Sequence, residues 1–492
     1  MKFKIQALGS KLPELLILPI AKGNLKENLQ KAEALSGVSA KILEEDFEGD
    51  WKKTHSFYGG QDNKTRFVLL GLGEELTFPK VLKAFRVFAA KRKDKFPKQT
   101  SIYLGGDLSE NEDFPTIVEA VCNGCVAGTC KVGLYKTDKT ATKQTVPIIT
   151  ILLDNKGDKA TKEAIAKGQF MGETQIQIMD LMNAPANKAT PKVLADWAKK
   201  SAKDNSFQCK VLDKKQIEKL GLGALLAVNR GSEDPPFFII MEHKPKGKNL
   251  KKVGILGKGV TFDTGGLSIK GSQNMHYMKS DMGGAAAVLG TMQVAAKLNL
   301  PLHLIGIVPT TDNCVDAKSV KPGDVIDSYS GKTIEITDTD AEGRLILSDA
   351  IAYMNKHFKP EIMIDLATLT GSCFRTLGYH AGGLFTNNDT LANQLLAAGD
   401  ATGERLWRLP LWDEYKSMMD SDVADIKNFS GTPLAGATTA GKFLEFFTEE
   451  HEAWAHLDIA GVAFGRSELS KGMSGTAYGV RLLIAFLSGL SS

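Results

Sequence analysis

Cysteine is scarce in this chain, with six in 492 residues, and that scarcity excludes a fold stapled by disulfides. Three of the six, Cys122, Cys125 and Cys130, crowd into VCNGCVAGTC, but no His or further Cys lies nearby to complete a tetrahedral metal site. From Thr116 to Gly133 small and apolar residues recur at helical spacing, so these thiols read as buried small side chains. Long apolar runs are missing too. No stretch of about 18 uninterrupted apolar residues exists, which argues against a membrane span. In MKFKIQALGSKLPELLILPI the charges of Lys11 and Glu14 break any leader-like core, so a reducing cytoplasmic setting is expected.

Several catalytic signatures are also lacking. None of the eight histidines opens an HExxH zinc motif. The nearest miss, His451-Glu452 with His456, is one residue too long to put both rings on one helix face. Gly331-Lys332-Thr333 imitates the end of a phosphate-binding loop, but Ile326 stands where its first glycine belongs. There is no GxSxG elbow for a serine hydrolase. Gly257-Lys258-Gly259 runs on as Val260-Thr261-Phe262, without the third glycine of a dinucleotide loop.

What is present describes an ordinary globular chain, 43% apolar and 24% charged, long enough for two domains. The net charge of +4 is unevenly spread: residues 1–170 hold 27 Lys+Arg and 21 Asp+Glu, so the remainder carries a slight acidic excess. A basic run, Lys91, Arg92, Lys93, Lys95 and Lys98, raises nucleic acid as a second class of partner. No aromatic residues interleave in base-stacking fashion, so the run reads as a solvated helix end before Pro97.

The pattern predicts an α/β fold in two parts, each alternating strands with helices. Over residues 1–158, strands are expected at Leu15–Pro19, Phe67–Leu70, Ile102–Leu104 and Ile148–Leu153, with helices at Phe78–Lys95 and Phe114–Gly128. Residues 159–183 form a connecting helix broken at Asn183-Ala184-Pro185, and Thr190-Pro191 opens the next one. Residues 184–492 then form a larger domain, its mixed, largely parallel sheet sandwiched between helices. Strands are expected there at Val253–Leu256, His303–Val308, Thr333–Ile336 and Ile362–Leu366, with helices at Gly283–Leu298 and Leu345–Lys356. In such sheets ligands gather at the carboxyl ends of the strands.

Two segments put charge at those ends: GILGKGVTFDTGGLSIKGSQNMHYMKSDMGGAAAVLG, residues 254–290, and IEITDTDAEGRLILSDA, residues 334–350. Asp263, Asp281, Asp340 and Glu342 bring four carboxylates together, a costly arrangement unless cations neutralise them. Two divalent ions would balance four such charges, and a water between them would become a nucleophile near neutral pH. Lys258, pressed against a dication, could lose its proton and serve as a neutral donor. Each residue alone has a blander reading: Asp281 could cap the helix beginning near Gly283, and Arg344 could be a solvated helix-start residue. Their joint occurrence with Gly257, Gly259, Gly265 and Gly266 interposed favours a metal site. At Ala341-Glu342-Gly343-Arg344-Leu345 a strand gives way to a helix, whose free N–H groups and Arg344 guanidinium suit an anion. Lys270 adds a cation able to polarise a carbonyl.

At these residues the sequence resembles the leucyl aminopeptidase family of dimetal peptidases. Its NTDAEGRL signature is matched by Asp338-Thr339-Asp340-Ala341-Glu342-Gly343-Arg344-Leu345. Further matches are Gly257-Lys258-Gly259, Phe262-Asp263-Thr264-Gly265-Gly266, Met278-Lys279-Ser280-Asp281-Met282-Gly283-Gly284 and Asp365 through Gly371. Later come Leu406 through Leu411, Val423 through Asn428 and Trp454 through Gly461, so the likeness runs from about residue 180 to the end. The resemblance implies that Lys258, Asp263, Asp281 and Glu342 hold a tighter metal, and Asp263, Asp340 and Glu342 a more exchangeable one. Carboxylate-rich sites accept Zn, Mn, Mg or Co. It implies that Lys270 contacts the reacting carbonyl, and that Arg344 with the backbone of Ala341, Gly343 and Leu345 binds a bicarbonate acting as general base. The N-terminal side chain of a short peptide would sit among Met278, Thr368, Leu369, Gly371, Ala460 and Ala463, with Leu- or Met-like residues preferred. A homohexamer with its active sites facing an interior cavity is also implied. One departure stands out: Asp338 replaces the family's Asn, losing an amide donor and adding negative charge near the metals.

Overall fold

An unbroken apolar run decides the first sheet. In Leu15–Ala21 every residue is buried, and successive side chains point to opposite faces. Leu15 and Ile17 pack with Val81, Phe85 and Val118 of helices Phe78–Arg92 and Phe114–Gly128. Leu16 and Leu18 pack instead with Leu29 and Leu43 of helices Leu25–Ser36 and Ala40–Asp46. This two-sided burial suits a mainly parallel sheet. Six strands run in the order Lys2–Ala7, Ile148–Leu153, Thr100–Tyr103, Leu15–Ala21, Thr65–Gly73, Thr54–Gly59, and only the last pairing is antiparallel. Cys122, Cys125 and Cys130 are buried, the first two on helix Phe114–Gly128.

This computed structural model describes residues 1–92, 95–133, 135–137 and 147–490. The chain divides into two compact units, Met1–Ile176 with Glu468–Ser470, and Gln177–Ser467 with Lys471–Ser492. A single helix of 25 residues, Lys159–Asn183, fills the expected connecting segment, and the division falls inside it. The helix expected to reach Lys95 stops at Arg92, and Lys93 lies outside the described residues.

The second unit is built on a nine-stranded mixed sheet. Its centre is four parallel strands in the order Trp454–Asp458, Ile362–Ala367, Lys252–Gly257, His303–Asn313. Antiparallel neighbours, Gly382–Phe385 and Phe237–His243, flank that centre on either side. Ile305 and Ile307 share a core with Ile346, Ala350 and Met354 of helix Glu342–His357. Gly306 faces the opposite way, where a Cβ would lie 2.8 Å from Met292 of helix Gly283–Lys297. Helices therefore cover both faces, and the parallel strand ends are left to carry chemistry. One expectation needs correction. Thr333–Glu335 lies outside this sheet, in a small one with Val325–Asp327 and Ile426–Lys427. Its three residues alternate half-buried and buried, too short a run to enter the central layer.

Candidate functional site

Lys258 follows directly on strand Lys252–Gly257, and Asp263 closes the short strand Gly259–Asp263, which pairs with His303–Asn313. Close backbone approach fixes this corner, because a Cβ on Gly257 would lie 2.4 Å from the Gly284 carbonyl oxygen. Asp281 stands before helix Gly283–Lys297 but does not cap it: its Oδ1 accepts from Thr368 Oγ1 at 2.7 Å. Asp340 and Glu342 arrive from the turn into helix Glu342–His357. That turn is stitched to the glycine loop by Thr339, whose hydroxyl donates to Gly265 O at 2.7 Å and accepts from Ser268 N at 2.7 Å.

Together these elements line one cleft of about 490 Å³. Lys258, Asp263, Lys270, Met278, Asp281, Asp340, Ala341, Glu342, Arg344, Thr368, Leu369, Gly371 and Ala460 all face it. Ala463 sits behind, buried, where it and Thr368 flank Gly283. The Leu345 side chain belongs to the core, and Gly343 lies under Lys258.

Carboxylate oxygens of Asp263, Asp340 and Glu342 lie within 4.8 Å of one another. Lys258 Nζ stands 2.8 Å from Asp281 Oδ2 and 2.9 Å from Glu342 Oε1, and donates to Thr368 O at 2.9 Å. Lys270 Nζ is 2.7 Å from Asp263 Oδ2 and also pairs with Asp340. Lys258, Asp263, Asp281 and Glu342 are nearly inaccessible, whereas the Asp340 side chain keeps 34% exposure. Burial pushes Asp340 up to about 7, reinforced by Asp263. Asp281 is raised well above the usual range, again chiefly by burial. For Glu342 burial acts upward, but Lys258 and Lys270 outweigh it and hold the group below its ordinary value. Burial acts downward on Lys258, and there Asp281 and Glu342 win, so the proton is held tightly.

The donors fit divalent ions. Two ammonium groups cannot neutralise four clustered carboxylates. Asp281 Oδ2, Asp340 Oδ1 and Glu342 Oε1 are buried without accepting a well-angled hydrogen bond, so they face the lysines as point charges only. Hard oxygen donors of this kind suit Mg, Mn or Zn.

Three residues outside the expected set hold this one in shape. Asn313 Nδ2 donates to Asp263 Oδ1 at 2.9 Å, beside the Gly265 N–H at 2.8 Å. Asn428 clamps the signature turn: its Oδ1 accepts from Thr337 N at 2.9 Å and its carbonyl accepts from Arg344 at 2.8 Å. Asp458, fully buried, accepts from Thr370 Oγ1 at 2.6 Å, Leu369 N at 3.2 Å and Ala460 N at 3.1 Å, tying two lips of the cleft together. Arg375 faces the cleft as well. Asn428 and Asp458 fall in stretches that already stood out in the sequence, but Asn313 and Arg375 carry no sequence signal. Asp338 uses Oδ1 to accept from Asp340 N at 2.9 Å, a contact an Asn oxygen makes equally well.

Arg344 is buried and lowered to about 10, mainly by desolvation, and its Nε has no hydrogen-bond partner. In the first unit, Lys91, Arg92 and Lys95 line a separate hollow with Lys52 and Arg66. No helix among the described residues is long and apolar enough to cross a membrane.

Comparison with known proteins identifies the family. The model of the cytosol aminopeptidase family, catalytic domain, matches residues 177–484. A probable cytosol aminopeptidase of Chlorobium limicola is 41% identical, with 96% of each chain covered. A tomato leucine aminopeptidase variant superposes with a TM-score of 0.88 at 32% identity, over 99% of this chain and 96% of that one. A bottromycin maturation enzyme solved in complex with Mn gives 0.81 at 31% identity, over 98% and 100%. The chain belongs to the cytosol aminopeptidase family, the leucyl aminopeptidases, and is a metal-dependent aminopeptidase.

Proposed function

We propose that this chain removes N-terminal residues, Leu- or Met-like by preference, from short peptides at a two-metal centre. The observation that carries the reading is the buried knot of Asp263, Asp281, Asp340 and Glu342 with two lysines threaded through it. Lys258, Asp263, Asp281 and Glu342 would hold one ion, and Asp263, Asp340 and Glu342 the other. The exposure of Asp340, against the burial of Lys258 and Asp281, supports the second ion as the more exchangeable. When bound, such ions supply Lewis acidity and a nucleophilic water near neutral pH. Lys258 must release a tightly held proton to act as a donor, so metal binding and deprotonation are linked.

Lys270, partly exposed in the cleft and paired with Asp263 and Asp340, would turn its ammonium to the scissile carbonyl oxygen and stabilise developing negative charge there. Arg344 and the backbone of Ala341, Gly343 and Leu345 would hold a bicarbonate as proton acceptor. The unpartnered Nε of Arg344 and the free N–H groups at the start of helix Glu342–His357 support that role. Met278, Thr368, Leu369, Gly371 and Ala460 give the cleft a partly apolar wall for the departing residue's side chain. Assembly into a homohexamer is supported by the exposure of Trp407, Trp412, Val423 and Leu434, between 64% and 69%, and light scattering checks it.

The test is removal of metal by chelation, followed by addition of Mn or Zn, with hydrolysis of leucyl amide as readout. Loss and recovery of turnover are expected; full turnover after complete chelation overturns the reading.

A further inference from the structure

Arg375 has a position that its place in the helix does not require. It belongs to the seven-residue helix Gly371–Leu377, four residues after Gly371. A cation near a helix C-terminus ordinarily serves the exposed carbonyls there. Arg375 instead leans back along the helix, as helical side chains do, and its guanidinium lies over the first residue. A Cβ on Gly371 would stand 3.2 Å from Nη1 and 3.8 Å from Cζ. That end of a helix repels cations, so the dipole does not explain the placement. Nor does pairing: among the described residues Arg375 forms no ion pair, whereas Lys258 and Lys270 each touch two carboxylates. The side chain is exposed and faces the same cleft as the metal-site carboxylates.

The cleft is thus polarised. One wall concentrates Asp263, Asp281, Asp340 and Glu342, and the guanidinium of Arg375 supplies an unmatched positive charge elsewhere on the lining. A peptide bound for removal of its first residue carries an ammonium at one end. If it also bears a carboxylate close by, that group finds its natural partner in the planar fork of an arginine.

We propose that Arg375 is a specificity-determining residue that recognises a carboxylate on the substrate, either the free C-terminus of a very short peptide or an acidic side chain near the cleaved bond. This rests on the aminopeptidase reading and adds to it a charge preference that the apolar wall does not supply.

The test uses the full-length metal-loaded protein and three substrate pairs: Leu-Gly against Leu-Gly amide, Leu-Glu amide against Leu-Gln amide, and glutamyl against glutaminyl anilide. The first pair isolates the C-terminal carboxylate, the second an acidic second residue, the third an acidic first residue. The expected result is a higher kcat/KM for the charged member of at least one pair. Arg375→Met should erase that preference by roughly tenfold, mostly through KM, and Arg375→Lys should restore part of it. Added salt should narrow the preference in the unmodified protein. Equal rates within all three pairs, or an Arg375→Met variant that keeps the wild-type ratio, overturn the proposal. If the unmodified protein hydrolyses no member of any pair with metal present, it is the aminopeptidase reading that fails instead.

Discussion

Gly343→Ala isolates how tightly the site is drawn around Lys258. Gly343 is the second residue of helix Glu342–His357, and a Cβ there would lie 2.5 Å from Lys258 Cε and 2.7 Å from Nζ. Real Cβ atoms do not sit so close, so Lys258 must move. It is 3% exposed, and leaving means losing its contacts with Asp281 at 2.8 Å, Glu342 at 2.9 Å and Thr368 O at 2.9 Å. Helix propensity favours the alanine by about 1 kcal/mol. Crowding in a packed interior costs about 1–3 kcal/mol, so the net change in stability is small. Function should suffer far more, since a displaced donor weakens metal binding and turnover by about 10–100-fold or more. The assay is paired: metal content by mass spectrometry and kcat/KM on leucyl amide, with the thermal midpoint as control. An alanine variant with wild-type metal content and turnover would refute the inferred placement of Lys258.

Asp340→Ala and Glu342→Ala should each lower kcat/KM by orders of magnitude, because each removes a proposed ligand; near wild-type turnover in either variant contradicts the assignment. Lys270→Ala should damage kcat more than metal content, which steady-state kinetics and metal analysis separate. Asp458→Ala strips the shared acceptor from Leu369, Thr370 and Ala460, so KM should rise and stability fall by about 3 kcal/mol, while Asp458→Asn should recover part of both. Within the first unit, burial raises Glu468 but Arg86 and Lys83 outweigh it, holding the carboxyl at about 2. A depressed carboxyl contributes stability that is complete above its unfolded value of 4.5 and is lost as pH falls toward 2. That contribution, about 3 kcal/mol at most, should vanish in Glu468→Gln, whose unfolding curve should be flatter across that acid window.

Much of this was legible in the residues themselves. Two-sided burial of Leu15–Ala21 and of the central strands follows from unbroken apolar runs, and those strands form where the pattern put them. The carboxylates converge because each follows a strand end or precedes a helix, positions that local pattern reveals. Harder to read were the supports. Asn313 lies 50 residues from Asp263 in sequence, and only pairing of Gly259–Asp263 with His303–Asn313 brings them together. Asp281 reads as a metal ligand, but its bond to Thr368, 87 residues away, lies beyond the reach of local pattern. Arg375 gave no signal at all, because its meaning lies in the direction its side chain takes over Gly371. The Thr333–Glu335 strand was placed in the wrong sheet, since periodicity identifies a strand and not its partner.

The two-metal centre is tested most directly by titrating chelated protein with Mn while following both ion binding and leucyl amide hydrolysis. Turnover should rise from nothing to its full value as two ions bind per chain, and Glu342→Ala should lose both binding steps. Full turnover with no ion bound, or two ions bound with unchanged affinity in that variant, would contradict it.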